Sequence, residues 1–304
     1  MNNNSQICNT AAVTLLQCCD DDLLKLKQRV GVDRALSTYT RQCGLRQLVA
    51  SFIADAMGQA DVLLESLTAG FIHDFADYLS VRRQLRGGTV WLACLWLKGV
   101  VGRACQRGLL MSNPFAAFHI GRNIREREYL TEEELHLMAT CQLSDERTAL
   151  YRDLFVFAAL TGMAFADICQ LRRSDIRQID GMRWVMAKRK KTKTTFRVRL
   201  LPQAETIIKR YEQDGEYIFG PITYRTLAKH IPLIVRRCGI DRHVTFHCAR
   251  HTFAVMSLNA GVPMESVSRM LGHTNISTTQ IYARVTMKKL SSDMDKLQQH
   301  LVDI

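Results

Sequence analysis

Four residues near the C-terminal end of the chain could together hold and attack a phosphodiester: His247, Arg250, His273 and Tyr282. A guanidinium is a planar fork that matches two phosphate oxygens. A phenol can act as the nucleophile, but with an ordinary pKa near ~10 it is mostly protonated at neutral pH. Arg250 and the two histidines would supply the positive field that makes the phenolate accessible.

The residues around His247 and Arg250 predict a helix that starts just before them. Thr245 is a good helix-capping residue. Apolar side chains then recur at helical spacing until Gly261, which supplies a C-terminal stop. His247 and Arg250 therefore fall at the N-terminal end of this helix, where unpaired backbone amides favour an anion.

Two further short helices are expected after Gly261. Pro263 suits the start of the first of them, which ends at Gly272, so that His273 emerges just beyond a helix end. The polar residues 274–278 offer caps for the next helix, which is expected to carry Tyr282. Three helix termini are thus predicted to converge on one point.

Each of these residues also has a simpler explanation when it is taken singly. Tyr282 could be an amphipathic packing residue, and His273 could be a polar residue at a helix end. The repeat of His243, His247 and His251 would be typical of metal ligands on a continuous helix. Because the predicted helix begins near His247 and no acidic residue accompanies the three, we expect no metal site and no cofactor.

Taken together, the order and spacing of these residues resemble a family motif. The segment HCARHTFAVMSLNAGVPMESVSRMLGHTNISTTQIYARV is similar to the HxxRH, LGH and tyrosine pattern of tyrosine recombinases of the phage integrase family. Upstream, LTGMAFADICQLRRSDI at residues 160–176 resembles the first catalytic segment of that family, and AKRKKTKTTFRVRLL at 187–201 resembles its β-hairpin. The resemblance covers the whole C-terminal domain.

The resemblance implies a role for each matched residue. Tyr282 would form a 3′-phosphotyrosyl bond with DNA. The residues expected around the phosphate are His247, Arg250 and His273. Lys191 falls at the hairpin lysine that protonates the departing 5′ oxygen in the family, while the neighbouring Lys190 and Lys193 leave that choice open. Asp167 falls where the family has an acidic residue that orients the catalytic imidazole or arginine.

One position departs from the family pattern. The family usually places its first catalytic arginine where this chain has Ala164. The loss of one preorganised charge donor typically costs about 10²–10³ in rate. The phrase TGMAFADI resembles integrases of Bacteroidetes mobile elements, in which this arginine is often missing. Our hypothesis is that another cation replaces it, with Arg152, Arg284 and Lys190 as candidates; the competing hypothesis is a catalytically weak regulator that only binds DNA.

The charge of the chain favours a nucleic-acid partner. Its formal net charge is +12 and its sequence pI is about 9.4, which makes the surface attractive to polyanions. Alternating Phe196, Val198 and Leu200 predict a hairpin with a turn at 192–195. Taken alone, this hairpin could be a solvated basic surface with no ligand. The residues expected to bind DNA are Lys188, Arg189, Lys190, Lys193 and Arg197.

The fold class is predicted to be mainly α with two domains. Residues 1–120 read as a helical domain, 121–128 as a polar linker, and 129–304 as an α+β catalytic domain with a small β-hairpin or sheet. Thr131, with Glu134 three residues later, is typical of a helix start just after the linker. In the N-terminal domain, FIHDFADYL and NPF weakly resemble the SAM-like core-binding domain of the same family, which would close around DNA as a clamp with the catalytic domain.

Two helices of the N-terminal domain have clear patterns. Phe71, Ile72, Phe75 and others form one amphipathic face after a cap-like stretch at 66–68. A longer apolar helix is expected at 90–110, interrupted by glycines at 99 and 102. Gly87 and Gly88 are expected to separate the two helices.

The C-terminal residues 288–304 predict an amphipathic helix. Its apolar seam consists of Leu290, Met294, Leu297, Leu301 and Ile304. The helix could pack on its own domain. In the family a helix of this kind docks into the neighbouring protomer, so the resemblance implies a homotetramer on double-stranded DNA, with a free protein that is a monomer.

The remaining features concern location and function class. The chain has ten cysteines but no CxxC pair, no signal-peptide pattern and no apolar run long enough for a membrane span. We therefore expect a cytoplasmic protein with reduced thiols and no membrane partner. The expected function is site-specific DNA recombination leading to integration, excision or inversion, by a simple recombinase or invertase. The alternatives are the weak DNA-binding regulator and a type IB topoisomerase-like nicking enzyme.

Overall fold

Helices make up most of the chain, as its apolar periodicity predicts. The computed structural model describes residues 12–121, 128–211, 215–282 and 287–301. The chain divides into two compact units, Met1–Arg125 and Glu126–Ile304, and each unit has its own apolar core. The division falls inside the segment 121–128, where the composition of the sequence changes.

The described part of the N-terminal unit contains four α-helices. Their core includes a cluster of rings in which Phe52 contacts Phe71, Phe75 and Tyr78, with centroids 5.1 to 5.4 Å apart. A π-helical turn, Tyr78–Arg82, directly continues the third helix. The helices are α1 (Leu15–Gln28), α2 (Leu36–Met57), α3 (Ala69–Asp77) and α4 (Gly87–Gln106).

The sequence predicted features of two helices in this unit, α3 and α4, and the structure agrees with the prediction for α3 only. In α3 the residues Phe71, Ile72 and Phe75 are buried, which confirms the predicted apolar face. The prediction for α4 was wrong at both ends. Gly87 and Gly88 do not separate the helices but form the first turn of α4, where a side chain is not needed, and the glycines at 99 and 102 do not interrupt it. The helix ends at Gln106 because Gly108 takes a left-handed conformation with φ of 75°.

The C-terminal unit is organised around one buried helix. Its described residues form nine α-helices and a three-stranded sheet. Helix α6 packs against α5, α8, α9 and α10, and apolar side chains cover most of its circumference, as expected of a helix enclosed in a core. The helices are α5 (Glu132–Thr140), α6 (Glu146–Thr161), α7 (Phe165–Ile168), α8 (Pro202–Tyr211), α9 (Tyr224–Arg237), α10 (Phe246–Asn259), α11 (Met264–Leu271), α12 (Ser277–Gln280) and α13 (Met287–Leu301).

The start of this unit is fixed by hydrogen bonds that the sequence predicts in part. The Thr131 hydroxyl accepts from the Glu134 N–H at 3.2 Å, and a Glu134 carboxylate oxygen accepts from the Thr131 N–H at 2.7 Å. This is the predicted capping box of α5. The Leu130 N–H also donates to the hydroxyl of Thr252, at 2.8 Å, and so ties the entering chain to α10.

The basic hairpin is part of a three-stranded antiparallel sheet. The strands are β1 (Ile176–Ile179), β2 (Met182–Lys188) and β3 (Thr195–Arg199), in the order β1-β2-β3. Val185 pairs with Val198, and the alternating Phe196 and Val198 are buried, which confirms the predicted hairpin. Its turn spans 189–194 and not the predicted 192–195, because Thr195 already pairs with Lys188. Strand β1 was not predicted, because its residues are mostly exposed and show no clear alternation.

Within the described ranges, none of the helices combines the length and the apolar character that a membrane crossing requires.

Two helices of the C-terminal unit end at glycines that the structure requires. Gly162 ends α6 and Gly272 ends α11, with left-handed φ values of 69° and 63°. A Cβ atom on Gly162 would lie 2.5 Å from a ring carbon of Phe253 and 2.8 Å from a methyl carbon of Leu271. A Cβ atom on Gly272 would lie 3.0 Å from the Cγ atom of Arg189. Glycine therefore permits both the backbone conformation and the close approach of the neighbouring chain.

We expect Gly162→Ala to lower the free energy of unfolding of the C-terminal unit by about 2–4 kcal/mol, since a clash is added to left-handed strain. The matched control is Gly239→Ala, where φ is 72° and no atom lies within 4 Å of the new Cβ. There the loss should be only about 1 kcal/mol. Urea unfolding of the full-length chain measures both values. Equal losses in the two variants would contradict the close packing at Gly162.

Candidate active site

Arg250 is held between the ends of two helices. It lies near the start of α10, as predicted, and the residue is only 4% exposed. Its Nη1 atom donates to the Gly162 carbonyl at 2.5 Å, and its Nη2 atom donates to the Leu271 carbonyl at 2.7 Å. These carbonyls lie at the C-terminal ends of α6 and α11, where unpaired carbonyls and the helix dipole favour a cation.

The charge of Arg250 is incompletely compensated. Burial, and then the positive charge of Arg189 nearby, lower the pKa of Arg250 to about 9, while Tyr282 and Asp167 act in the opposite direction. A bound anion would favour the charged guanidinium and reverse this shift. A buried cation in this state is typical of a site that receives a negatively charged ligand.

His273 accepts a hydrogen bond from Arg250 and is fixed from its other side. The Nε2 atom of His273 lies 2.9 Å from Arg250 Nη2. Because a guanidinium N–H can only donate, Nε2 is the acceptor, and the ring proton resides on Nδ1. Nδ1 donates to the Thr279 hydroxyl at 2.8 Å. The Thr279 carbonyl also accepts the N–H of Tyr282 at 2.9 Å, so this fully buried threonine connects the histidine to the tyrosine.

Tyr282 contacts a histidine that was not assigned to the site. Its hydroxyl oxygen is 2.7 Å from Nδ1 of His251, and both residues are buried. The imidazole is thus placed to accept the phenol proton. The prediction that Tyr282 lies within a third helix was wrong. Helix α12 ends at Gln280 and Tyr282 follows in a turn, since the β-branched residues at 278, 279 and 281 disfavour a longer helix.

His247 lies at the edge of this group. It is exposed near the start of α10, and its ring centroid is 4.4 Å from that of His251, with the rings nearly perpendicular. Within the described ranges, no group of three or more histidine, cysteine, aspartate or glutamate side chains is placed to hold a metal ion. The structure therefore brings Arg250, His273 and the pair formed by Tyr282 and His251 into one cluster, with His247 beside it.

Asp167 holds the turn between β2 and β3. One of its carboxylate oxygens accepts from the Lys190 backbone N–H at 2.8 Å, and the other lies 2.7 Å from Nε of Arg189. Asp167 was expected to orient the catalytic imidazole or arginine. Its carboxylate contacts Arg189, because the β2–β3 turn packs over the end of α7. The orienting role stays a prediction.

Arg189 does not belong to the outer basic surface. Its side chain is only 13% exposed, and its Nη1 atom donates to the Leu271 carbonyl at 2.6 Å. Arg250 donates to the same carbonyl oxygen. The sequence predicts that Arg189 binds DNA with the other basic residues of the hairpin, and the structure places its guanidinium inside the candidate site.

The structure shows the contacts of two of the three cations that were predicted to replace the arginine absent at Ala164. Ala164 is the capping residue before α7. Arg152 is bound elsewhere, since its Nε atom donates to Asp153 at 2.6 Å and its Nη1 atom donates to the Cys141 carbonyl. The Lys190 side chain is exposed, and only its backbone N–H contacts Asp167. Arg284 lies outside the described residues.

The hairpin presents its lysines to solvent next to an open depression. Lys191 is exposed at the tip of the turn between β2 and β3. The depression has a volume of about 390 Å³. The exposed basic residues of the hairpin are Lys188, Lys190, Lys191, Lys193, Arg197 and Arg199. The depression is lined by Thr194, Thr195, Arg197, Arg269, Gly272 and His273.

Sequence reasoning missed two residues of the cluster and one on the wall of the depression. His251 had a visible signal, because it follows Arg250 directly and lies one helical turn after His247. Thr279 had none, since nothing in the sequence separates it from the neighbouring polar residues. Arg269 lies on an exposed face of α11 and becomes relevant only because the hairpin passes close to that helix.

Two parts of the chain match family descriptions. Residues 128–289 match the phage integrase family, and residues 14–120 match the phage integrase SAM-like domain. Tyrosine recombinase XerC of Lactobacillus leichmannii is 27% identical over 231 residues, which cover 71% of this chain and 78% of that protein. The alignment with XerC of Oceanobacillus iheyensis has 30% identity and covers 61% of this chain and 66% of that protein.

Solved structures share the fold at lower identity. The Tn1549 transposon integrase in complex with a circular intermediate DNA has a TM-score of 0.75 at 17% identity, covering 93% of this chain and 99% of that one. A lambda integrase dimer bound to a COC′ core site has a TM-score of 0.71 at 18% identity, covering 89% and 77%. At these identities the similarity establishes the fold. The finer resemblance to integrases of Bacteroidetes mobile elements stays a prediction.

We expect Thr279→Val to slow the chemistry of this site about tenfold, since it removes one buried hydrogen bond of about 1–2 kcal/mol that fixes the ring of His273. The shape of the side chain is retained. The matched control is Thr278→Val at the exposed neighbouring position, which should leave the rate close to wild type. Single-turnover cleavage of a DNA substrate measures the effect. Equal rates for Thr279→Val and wild type would contradict the role given to this hydrogen bond.

Proposed function

The chain belongs to the phage integrase family, and on that premise we propose that it is a site-specific tyrosine recombinase of double-stranded DNA whose nucleophile is Tyr282. The enzyme breaks and rejoins DNA strands. One observation carries the assignment of the nucleophile: the Tyr282 hydroxyl is buried at 2.7 Å from His251, beside the incompletely compensated charge of Arg250. A degenerate DNA-binding regulator would have no need to keep this arrangement.

The proposed reaction begins with the phosphate bound by the cationic cluster. Arg250 binds a non-bridging oxygen of the scissile phosphate, and His273, once protonated at Nε2, donates to another in place of its bond with Arg250. His247 approaches the phosphate from the exposed edge. His251 accepts the proton as the Tyr282 oxygen attacks phosphorus. Arg250 stabilises the charge that develops on the non-bridging oxygens, which is the largest contribution expected of such a site.

The departing group is the 5′ oxygen of the next nucleotide. As the new bond between Tyr282 and phosphorus forms, the bond from phosphorus to the 5′ oxygen breaks. Lys191 donates the proton that this oxygen needs, for which its exposed position at the hairpin tip is suitable once DNA is bound. The phosphotyrosyl bond conserves the energy of the phosphodiester. A 5′ hydroxyl of a partner strand can therefore reverse the step and rejoin the DNA without ATP.

We propose that the outer hairpin binds the DNA backbone near the site. The basic side chains concerned are Lys188, Lys190, Lys193 and Arg197, which are exposed, while Phe196 and Val198 anchor the strand in the core. Arg269 on the opposite wall of the depression would add a further contact. Each phosphate contact should make binding more sensitive to salt.

Recombination joins two duplexes, and we propose that four copies assemble on DNA through α13. The apolar residues of this helix are exposed in the single chain: Leu290, Met294, Leu297 and Leu301 are 47%, 61%, 47% and 48% exposed. An apolar seam of this size is unfavourable in water, so a second copy is the natural partner for it. Exchange of a segment that closely follows Tyr282 would couple assembly to activity.

We expect wild type to form a covalent protein–DNA adduct on nicked duplex DNA taken from the flanks of its gene, and Tyr282→Phe to form none. The phenylalanine keeps the ring and removes only the nucleophilic oxygen. Tyr224→Phe is the matched control, since Tyr224 is an exposed tyrosine of the same unit that packs on Phe165. Denaturing gel electrophoresis resolves the adduct. Adduct formation by Tyr282→Phe would refute the nucleophile, and tight DNA binding without an adduct in wild type would favour the regulator.

We expect Leu297→Glu to reduce assembly of multi-copy complexes on DNA by at least about tenfold, because a charge on a buried interface residue costs ~2–4 kcal/mol. The control Gln299→Glu adds the same charge on the opposite face of α13. Mass photometry of DNA complexes counts the copies. If Leu297→Glu left assembly intact and lowered only the stability of the single chain, α13 would pack on its own unit.

A further inference from the structure

We propose that Arg189 supplies the positive charge that this family usually places at position 164, and that its guanidinium contacts the scissile phosphate together with Arg250. This inference rests on the proposed function. It assigns a catalytic role to a residue of the β2–β3 turn, whereas the usual arginine belongs to the segment before α7. The inference thus identifies a replacement cation that is none of the three expected from the sequence.

The guanidinium groups of Arg189 and Arg250 lie side by side. Arg189 Nη1 and Arg250 Nη2 donate to the same oxygen atom, the Leu271 carbonyl, at 2.6 and 2.7 Å. The groups are therefore direct neighbours. Their like charges oppose each other, which is one cause of the lowered pKa of Arg250. Two adjacent cations become favourable when a shared anion binds between them, and a phosphate with several oxygens is such an anion.

The side chain of Arg189 is held on three sides. Asp167 fixes its Nε atom at 2.7 Å, and Leu271 fixes its Nη1 atom. Its aliphatic stem packs on Gly272, where a Cβ atom would lie 3.0 Å from Cγ. A charge fixed before the substrate arrives needs no reorganisation during the reaction, which is the property required of an electrostatic catalyst.

The contacts of Arg189 leave part of its guanidinium available to a ligand. Among the residues that the structure describes, the Leu271 carbonyl accepts a hydrogen bond from Nη1, while Nε pairs with the Asp167 carboxylate at 2.7 Å as an ion pair without hydrogen-bond geometry. The guanidinium therefore retains donor capacity for a ligand. Arg152, by comparison, donates to Asp153 and to the Cys141 carbonyl.

The lack of a charged side chain at Ala164 is consistent with this arrangement. Ala164 is the capping residue before the short helix α7, and Asp167 lies within that helix. Asp167 is 7% exposed, and a buried carboxylate requires a cation or several donors. Arg189 meets this requirement from the neighbouring turn. The ion pair between Asp167 and Arg189 thus positions the replacement cation. The hairpin supplies the positive charge that is absent at Ala164.

The test compares Arg189→Gln with wild type on two DNA substrates. Both are the nicked duplex on which wild type forms the Tyr282-dependent adduct, and one carries a neutral methylphosphonate in place of the scissile phosphate. On the ordinary phosphate we expect adduct formation to fall about 10²–10³-fold. On the methylphosphonate, the variant should approach the wild-type rate, because the charge that Arg189 offsets has been removed. Glutamine keeps an amide donor near Asp167, and the methylphosphonate substrate separates a loss of folding from the loss of the charge.

Two controls distinguish the possible failures. Arg177→Ala removes an exposed arginine from β1 of the same sheet and should leave both rates close to wild type. Restoring the usual cation in the double variant Arg189→Gln/Ala164→Arg should recover part of the lost rate on the phosphate substrate. An equal loss on both substrates would show that Arg189 acts only through the fold, and an unchanged rate on the phosphate would also overturn the inference. No adduct in wild type would instead count against the proposed function.

Discussion

The burial of the Arg250 guanidinium between two helix ends is the constraint on which the rest of the site depends. A buried charge is costly unless its donors are satisfied, and among the described residues no carboxylate pairs with this one. The carbonyls of Gly162 and Leu271 take that place. They can do so only because α6 and α11 end in left-handed glycines whose backbones allow close packing. The positions of two helices are thus determined by one side chain.

The burial of Arg250 explains both how the site would bind a phosphate and why the site lowers the stability of the free protein. The carbonyls satisfy the donors of Arg250 but do not neutralise its charge, and Arg189 adds a second charge beside it. The free protein therefore holds cations that a phosphate would stabilise, which is the usual conflict between stability and function at an active site. The nucleophile belongs to the same network, since Thr279 joins the ring of His273 to the backbone of Tyr282.

The sequence predicts the parts of this site that depend on local patterns. Thr245, Thr131 and the alternating strand residues of the hairpin mark helix starts and a β-pair, and the structure has them where expected. The sequence could not place contacts made across the fold. Arg189 reads as one basic residue among several until Asp167 and Leu271 are seen to hold it. Likewise, the place of Gly87 and Gly88 in the first turn of α4 and the extent of α12 depended on packing and β-branching, which outweighed the local sequence patterns.

The most direct test of the account is to identify the amino acid that carries DNA after cleavage. The protein would be reacted with the nicked duplex, digested with protease and nuclease, and examined by tandem mass spectrometry. The account predicts one modified peptide, with a 3′-linked nucleotide phosphate on Tyr282. A nucleotide attached to any other residue, or a 5′ linkage at Tyr282, would contradict it.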